Sequence, residues 1–341
     1  MHAESIGPLT LWVQLEQWPL VAPFSITGYT WDSVEVLVVR LEKDGRVGEA
    51  EGAGVYYKND RPASMLAQVE SMRAIIEAGL SRERVQSLLP RGGARNALDC
   101  ALWDLQAKLE GRAAWQIAGL TQPRPLLTTF TCGADKPEKM AAAARAYKSA
   151  RAIKLKLTGQ PKDAECVLAV REARQDVWLG VDANQGFTRA SLEQLMPTLV
   201  ATNVSLIEQP FPIGQEALLD GFRSPIPLAA DESAQGLDDI TGLVGRFDVM
   251  NIKLDKCGGL TEGLAIARTA RELGLDVMVG NMMGSSLAMA PACLVGQTCK
   301  VVDLDGPVFQ KTDRTISVHY ENGYITCPPA LWGGADQRSR G

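Results

Sequence analysis

The sequence predicts an α/β protein with a (β/α)8-type, TIM-like barrel and an N-terminal α+β capping domain that is completed by the C-terminal segment. Five consecutive strand-like runs each end near an ionisable residue, and these residues recur at steps of about 25 positions, the length of one βα unit. They are Lys156, Asp182, Glu208, Asp231 and Lys256. The same step reaches forward to Asn281 and Asp303 and back to Cys132. The pattern therefore predicts eight units.

The chain is longer than a barrel alone requires. It has 341 residues, whereas a bare barrel needs about 250. We therefore predict three segments. Residues 1–122 form a capping domain with substrate-specificity loops, residues 123–310 form the barrel with a metal and acid/base site, and residues 311–341 return to the capping domain.

The predicted capping domain begins with three strands. Alternating apolar residues predict strands over 6–17 and 33–41, and the second strand continues through a tight turn into a third at 47–52. Between the first two strands, the stretch from Pro19 to Asp32 is predicted to be a long loop, and a loop of this length in a compact domain is either disordered or functional.

Helices are predicted from apolar spacing, and a last hairpin from an Asn-Gly turn within 316–329. The predicted helices cover 62–78, 93–110, 137–150, 163–176, 189–203, 214–223, 236–246, 259–274 and 285–297.

Composition and charge narrow the range of function classes. A net charge of −5 provides no basic surface for nucleic acid or an anionic membrane. No apolar run has the form of a signal peptide or of a spanning helix. The seven cysteines are scattered without a CxxC pair, which predicts reduced thiols and a cytoplasmic location. The chain has no GxGxxG or P-loop motif, so nucleotide binding has little support.

Three acids end three adjacent predicted strands. A single acid at a strand end is more often a helix cap or a solvated loop residue. Asp182, Glu208 and Asp231 recur in register, however, so their carboxylates are expected to converge above the barrel mouth. Clustered carboxylates repel one another unless a cation lies between them, and ligation by oxygen alone favours Mg²⁺, with Mn²⁺ as the alternative.

Lysines lie on the strands that flank these acids. Lys154 and Lys156 share one face of a predicted strand. Such a pair is usually exposed, but here apolar residues surround it. Repulsion between two ammonium groups favours a neutral Lys156 that can act as a base. Lys256 is predicted to project from the sixth barrel strand, opposite the second. The two amines could then remove a proton from one face of a carbon atom and return one to the other.

These segments resemble those of a known family. The KxK run at 154–156, the VDAN, IEQPF and DES segments and NIKLDKCGGL at 251–260 are similar to the muconate-lactonising-enzyme subgroup of the enolase superfamily. The resemblance covers nearly the whole chain. It implies that the three acids bind Mg²⁺, that Lys156 and Lys256 form the acid/base pair, and that the metal and Lys154 stabilise an enolate beside a substrate carboxylate.

Two features favour one branch of this superfamily. The only histidines are His2 and His319, and neither follows a barrel strand, which disfavours the branches that use a His–Asp dyad. Asp303 and Asp305 resemble the pair that holds the substrate α-ammonium in dipeptide epimerases, and the alternative interpretation of this pair is a capped turn before Gly-Pro. We therefore predict a Mg²⁺-dependent dipeptide epimerase that acts by 1,1-proton transfer at the α-carbon of the C-terminal residue. The alternatives are an N-acyl amino acid racemase and a cycloisomerase or o-succinylbenzoate synthase-like lyase.

The choice of substrate is predicted from the barrel mouth and the first cap loop. Relatives that act on Ala-Glu carry an arginine in this loop, but residues 17–39 contain neither Arg nor Lys. We therefore expect an apolar or cationic C-terminal side chain to be accepted better than glutamate. The expected partners are a small-molecule substrate and further copies of the chain in a homo-oligomer. The predicted substrate-binding residues are Asp303, Asp305, Asn281, Ser285, Phe24 and Tyr29.

Overall fold

A long antiparallel hairpin opens the described part of the chain. The computed structural model describes residues 5–335, so His2 and the outer ends of the two terminal segments lie outside the described residues. Strand β1 (Thr10–Ile26) pairs with β2 (Tyr29–Lys43), and β2 pairs with β3 (Arg46–Gly52).

The stretch from Pro19 to Asp32 belongs to this hairpin, so the predicted long loop was wrong. The strand register shifts between Pro19 and Phe24, and pairing then resumes up to a tight turn. Gly28 in that turn has φ 79°, a conformation that favours glycine. Two prolines in the shifted part cannot donate to a strand partner, and they interrupt the alternation by which a strand is recognised. The tip of the hairpin carries Phe24 and Tyr29.

Five helices follow the hairpin sheet. They are α1 (Pro62–Ser71), α2 (Arg73–Glu77), α3 (Arg82–Leu88), α4 (Gly93–Glu110) and α5 (Ala114–Ile117). The helices predicted over 62–78 and 93–110 are both confirmed, although the first is interrupted at Met72. Helix α4 packs closely on β3, where a Cβ atom at Gly48 would lie 2.3 Å from the carbonyl oxygen of Ala101. Glycine is required there because any side chain would collide with the helix backbone.

The barrel follows a short strand β4 (Leu126–Leu127). Eight parallel strands form one curled sheet in sequential order, and a 2.9 Å hydrogen bond from Thr129 N to Val302 O joins its first and last members. The predicted barrel is confirmed. The strands are β5 (Phe130–Cys132), β6 (Ala152–Lys156), β7 (Trp178–Asp182), β8 (Val204–Glu208), β9 (Leu228–Ala230), β10 (Val249–Ile252), β11 (Asp276–Val279) and β12 (Val301–Val302).

The barrel helices are less regular than the strands. The helix predicted over 214–223 is only a 3₁₀ turn at Glu216–Leu219, and a 3₁₀ turn rather than an α-helix follows β12. None of the helices within residues 5–335 is long and apolar enough to cross a membrane. The α-helices are α6 (Pro137–Ala146), α7 (Asp163–Ala173), α8 (Arg189–Ala201), α9 (Ile240–Leu243), α10 (Leu254–Cys257), α11 (Leu260–Glu272) and α12 (Ser286–Gly296).

The C-terminal hairpin pairs with β4 rather than with the sheet of β1 to β3. It consists of β13 (His319–Glu321) and β14 (Tyr324–Thr326), and β14 pairs with β4. The chain beyond it reaches helix α4, where Trp332 Nε1 donates to Cys100 O at 3.2 Å and Gly333 N donates to Asp104 Oδ1 at 2.7 Å. The three segment boundaries stay a prediction.

Asp255 connects the capping domain to the barrel. Its Oδ1 accepts hydrogen bonds from Ala53 N at 3.0 Å, Gly54 N at 3.1 Å and Asn96 Nδ2 at 3.2 Å. Burial raises the pKa of Asp255 to about 7. These bonds hold the loop between β3 and α1 over the barrel mouth.

This raised pKa leads to a testable pH dependence. The unfolded value for aspartate is about 3.9, so the stability contributed by Asp255 is fully present below about pH 4 and is lost as the pH rises through about 7. Asp255→Asn removes this titration, and its amide oxygen can still accept the same bonds. We expect the free energy of unfolding of the variant, relative to the natural protein, to rise by at least about 1 kcal/mol between pH 5 and pH 8. Urea unfolding at both pH values measures this difference, and a constant difference would contradict it.

Candidate active site

Three carboxylates converge at the C-terminal ends of neighbouring barrel strands. Asp182 ends β7, Glu208 ends β8 and Asp231 directly follows β9. Asp182 and Glu208 are partners in the strand register, so the regular βα step delivers them to the same edge. Oxygen atoms of the three groups lie within 4.8 Å of one another, and all three residues are buried. The structure therefore brings together the predicted metal ligands.

The electrostatics of this cluster show an excess of negative charge. Burial and then the charge of Asp182 raise the pKa of Glu208 to about 7. Burial and then the charge of Asp231 raise the pKa of Glu232 to about 8. Buried carboxyl groups at the mouth outnumber buried lysines. The carboxyl groups are Asp182, Glu208, Asp231, Glu232, Asp303 and Asp305, and the lysines are Lys154, Lys156, Lys253 and Lys256.

Strand β6 contributes two buried lysines that face the carboxylates. Lys156 Nζ donates to Asp182 Oδ2 at 2.6 Å, and Lys154 Nζ donates to Glu208 Oε2 at 3.2 Å. Lys154 also forms an ion pair with Asp303. Burial lowers the pKa of Lys154, but Asp303 and Glu208 outweigh this effect and raise the pKa above its ordinary value. Lys154 therefore provides a fixed positive charge at the site.

Lys256 does not project from the sixth barrel strand, which corrects the sequence prediction. Strand β10 ends at Ile252, and Lys256 lies on α10. Its Nζ donates to Asp231 Oδ1 at 2.6 Å, to Asn251 O at 3.0 Å and to the carbonyl oxygen of Asp231. These bonds occupy the three donors of an ammonium group. Burial lowers the pKa of Lys256, which would suit a base, but a base must first reach the substrate.

Lys253 occupies the place that was predicted for Lys256. It directly follows β10, donates to Asp231 Oδ2 at 2.6 Å and lines the same cavity as Lys156. Burial lowers the pKa of Lys253, but Asp231 and Glu208 outweigh this effect and raise it. Strands β6 and β10 are the second and sixth of eight, so the two lysines approach the cavity from opposite sides. The segment NIKLDK contains both candidates, and the short helix α10 turns Lys256 away.

The cavity that these lysines line lies between the barrel mouth and the capping domain. Its volume is about 380 Å³, within the range of about 300–1,000 Å³ that is usual for small-molecule sites. The cap side includes Phe24, Tyr29, Trp31 and Tyr56, and the rings of Tyr29 and Trp31 stack with centroids 5.7 Å apart. A larger cavity of about 800 Å³ lies near α5 and α12. Its described lining includes none of the clustered acids or lysines.

The two aspartates after β12 differ in their partners. Asp303 contacts Lys154 and the hydroxyl of Thr129, so a protein lysine already supplies the cation that a substrate ammonium was expected to provide. Asp305 Oδ2 accepts from Thr131 N at 2.7 Å, and no lysine or arginine within residues 5–335 forms an ion pair with it. Burial and then the charge of Asp303 raise the pKa of Asp305 to about 6.

The other predicted substrate-binding residues differ in whether they line the cavity. Phe24, Tyr29 and Asn281 line the cavity. Ser285, Asp303 and Asp305 are not among its lining residues. Ser285 has a structural role instead, which corrects that prediction. It caps α12 by accepting from Leu287 N at 3.2 Å, and its hydroxyl also contacts Glu51 and Arg314. A serine before an apolar helical run is a typical N-cap, and this signal was present in the sequence.

Polar residues that the sequence prediction missed lie beside the predicted metal ligands. Asn184 Nδ2 donates to Glu232 Oε1 at 3.2 Å. Asn184 Oδ1, Glu232 Oε2 and Asn251 Oδ1 are buried without a protein partner. Buried polar atoms normally have partners, so these atoms indicate a place where a cation with its bound water, or a substrate, would complete the network. The adjacency of Asn184 and Glu232 to the predicted ligands in sequence was the available signal.

Comparison with family models identifies two domains. Residues 138–331 match the enolase C-terminal domain-like family, and residues 9–119 match the mandelate racemase / muconate lactonizing enzyme N-terminal domain. An L-Ala-D/L-Glu epimerase of Escherichia coli K12 is 37% identical over 312 residues, which cover 91% of this chain and 97% of that protein. An N-acetyl-D-glutamate racemase of a Pseudoalteromonas species is 43% identical over 253 residues, which cover 74% and 80%.

Two solved structures superpose closely on this chain. An enolase family member from Agrobacterium tumefaciens, bound to sodium and L-Ala-L-Glu, superposes with a TM-score of 0.92 at 36% identity and covers 96% of this chain and 100% of its own. A dipeptide epimerase from Methylococcus capsulatus, complexed with Mg and L-Arg-D-Lys, superposes with a TM-score of 0.88 at 28% identity and covers 94% and 97%.

Proposed function

Because the chain belongs to the enolase superfamily, with both mandelate racemase / muconate lactonizing enzyme domains, we propose that it is a Mg²⁺-dependent dipeptide epimerase. The proposed reaction is 1,1-proton transfer at the α-carbon of the C-terminal residue. One observation carries this proposal: Lys156 and Lys253 line one cavity from opposite sides, next to three converging carboxylates. The activities named for the relatives support the reaction class.

Asp182, Glu208 and Asp231 would hold the metal ion. Their oxygens suit a hard divalent cation such as Mg²⁺, and Mn²⁺ takes similar ligands. The raised pKa of Glu208 supports this fit, because a nearby cation would offset the excess of negative charge. When bound, Mg²⁺ supplies positive charge beside the substrate carboxylate, which makes the neighbouring C–H bond more acidic.

The lysines would transfer the proton. We assign Lys156 to one face of the α-carbon and Lys253 to the other, and each amine is held by a carboxylate, Asp182 or Asp231. One lysine, in its neutral form, takes the α-proton, and the other, in its ammonium form, returns a proton to the opposite face. Lys154 adds a positive charge that stabilises the planar anion between these steps.

A second candidate function is racemisation of an N-acyl amino acid. It uses the same proton transfer but offers no substrate ammonium. Asp303 already pairs with Lys154, so it is not free to bind a substrate ammonium, and this contact favours the second candidate. Of the two aspartates, Asp305 is the one without a cationic partner within the described residues. The Pseudoalteromonas relative, an N-acetyl-D-glutamate racemase, also supports it.

Substrate competition in D₂O distinguishes the two functions. The substrates are L-Ala-L-Glu, L-Ala-L-Leu, L-Ala-L-Lys, N-acetyl-L-glutamate and N-acetyl-L-leucine, and the readout is kcat/KM for the gain of one deuterium. We expect dipeptides to exceed their N-acetyl counterparts by about tenfold or more, because acetylation leaves Asp305 without a cation to bind. Faster exchange of the N-acetyl compounds would establish the second candidate. An absence of exchange with all five would contradict both.

The cellular setting is proposed on fewer observations. All seven cysteines are free thiols in the structure, which supports the proposed cytosolic location. Assembly into a homo-oligomer remains a proposal that sedimentation can test.

A further inference from the structure

One arginine lines the cavity at its capping-domain side. Arg61 lies in the loop between β3 and α1, directly before α1, and is exposed. It lines the same cavity as Lys156 and Lys253. Its Nε donates to Asn59 Oδ1 at 2.8 Å, and within residues 5–335 no carboxylate forms an ion pair with its guanidinium group. Arg61 thus offers free donors to a ligand in the cavity.

We infer that the cavity selects an acidic side chain on the reacting residue and that Arg61 recognises its carboxylate. This inference rests on the proposed function and specifies its substrate class. A guanidinium group matches a carboxylate in shape and can donate two parallel hydrogen bonds to it. The aromatic rings of Tyr29, Trp31 and Tyr56 line the same cavity and can enclose the methylene groups of a glutamate side chain.

Arg61 also supplies the cation that the sequence prediction did not find. Residues 17–39 lack Arg and Lys, which led us to expect an apolar or cationic substrate side chain. The cation comes instead from the next loop of the capping domain. That loop is held over the barrel by Asp255, through its bonds to Ala53 and Gly54. The inference holds for either candidate function, because a dipeptide and an N-acyl amino acid can carry the same side chain.

Two acids line the cavity as well and would favour a cationic side chain. They are Glu35, which is exposed on β2, and Asp60. Asp60 Oδ2 accepts from Gly93 N at 2.8 Å, and burial raises the pKa of Asp60. Asp60 is therefore hydrogen-bonded to the backbone of α4. Among the described residues, the guanidinium of Arg61 donates a hydrogen bond to one neutral side chain, that of Asn59, and to no acid. This difference favours recognition of an anion.

The test compares substrates that differ only in the charge of the side chain. L-Ala-L-Glu and L-Ala-L-Gln have nearly the same shape, and L-Ala-L-Lys carries the opposite charge. We expect the Mg²⁺-loaded protein to prefer the glutamate dipeptide over the glutamine dipeptide by about 10- to 100-fold in kcat/KM, as is typical of a hydrogen-bonded charge. Arg61→Met should reduce this ratio to within about threefold of unity. Arg61→Lys should retain part of the ratio, because it keeps the charge without the planar fork.

Arg223→Met is the matched control, since Arg223 is exposed and is not among the residues that line the cavity. It should leave the ratio unchanged. Two results would overturn the inference. One is an unchanged ratio of kcat/KM for the glutamate and glutamine dipeptides in Arg61→Met, as when both values fall equally. The other is a preference of the natural protein for L-Ala-L-Lys. Calorimetric binding of the same ligands gives a second readout. Charge-selective binding that depends on Arg61, without any α-proton exchange, would uphold the inference while contradicting the proposed function.

Discussion

Lys156→Ala and Lys253→Ala are each expected to lower kcat for epimerisation by about 10²- to 10⁴-fold, the usual contribution of a positioned acid or base. The reason is geometric. Each lysine lines the cavity on one side of the barrel and is held by its own carboxylate, Asp182 or Asp231. Neither can replace the other, because inversion at a carbon atom needs a proton donor on the face opposite the base.

Lys256 provides the matched control for this pair. It contacts Asp231 as Lys253 does, but its remaining hydrogen bond is to the backbone of Asn251. Lys256→Gln should lower stability, because a buried ammonium that compensates Asp231 is lost. At saturating Mg²⁺ it should retain epimerase activity far above that of Lys253→Ala. If Lys256→Gln is inactive and Lys253→Ala is active, the assignment of Lys253 is wrong.

Removal of the metal is expected to have an effect of similar size. Excess EDTA should lower epimerisation by about 10³-fold or more, since without the cation the proton must be removed beside a fully charged carboxylate. Added Mg²⁺ should restore the activity. Glu208→Gln should weaken Mg²⁺ binding measured by calorimetry, because a carboxylate ligand at the centre of the cluster becomes a neutral amide.

A matched variant separates ligation from general damage to the site. Asp305→Asn also replaces a buried carboxylate by an amide at the mouth, but Asp305 is outside the group of three converging oxygens. It should raise KM for a dipeptide and leave Mg²⁺ affinity largely intact. Full activity in EDTA, or equal losses of Mg²⁺ affinity in both variants, would contradict the metal assignment.

The barrel and its acids could be predicted because each depends on a regular pattern. A strand and a helix take up a nearly constant length of chain. Asp182, Glu208 and Asp231 therefore reach the same edge of the sheet regardless of the conformations of the loops between them. The buried lysines of β6 follow from the two-residue period of a strand, since Lys154 and Lys156 must share a face.

The errors arose where the chain leaves this regularity. Lys256 fits the step of about 25 residues, but β10 ends four residues earlier and α10 turns the side chain toward Asp231. The stretch around Pro19 resembles a loop because a register shift hides its strand pairing. The proposed role of Arg61 could not be inferred from the sequence either, because no motif marks this residue and its position over the cavity depends on long-range hydrogen bonds to Asp255.

Exchange of the α-proton with each substrate epimer tests most directly the central claim that Lys156 and Lys253 serve opposite faces of one carbon atom. The measurement is deuterium gain in D₂O, with L-Ala-L-Glu and L-Ala-D-Glu offered separately to the two alanine variants. We expect one variant to exchange only the L form and the other only the D form, while neither interconverts them. Loss of exchange with the same epimer in both variants, or exchange of both epimers by Lys253→Ala, would contradict the claim.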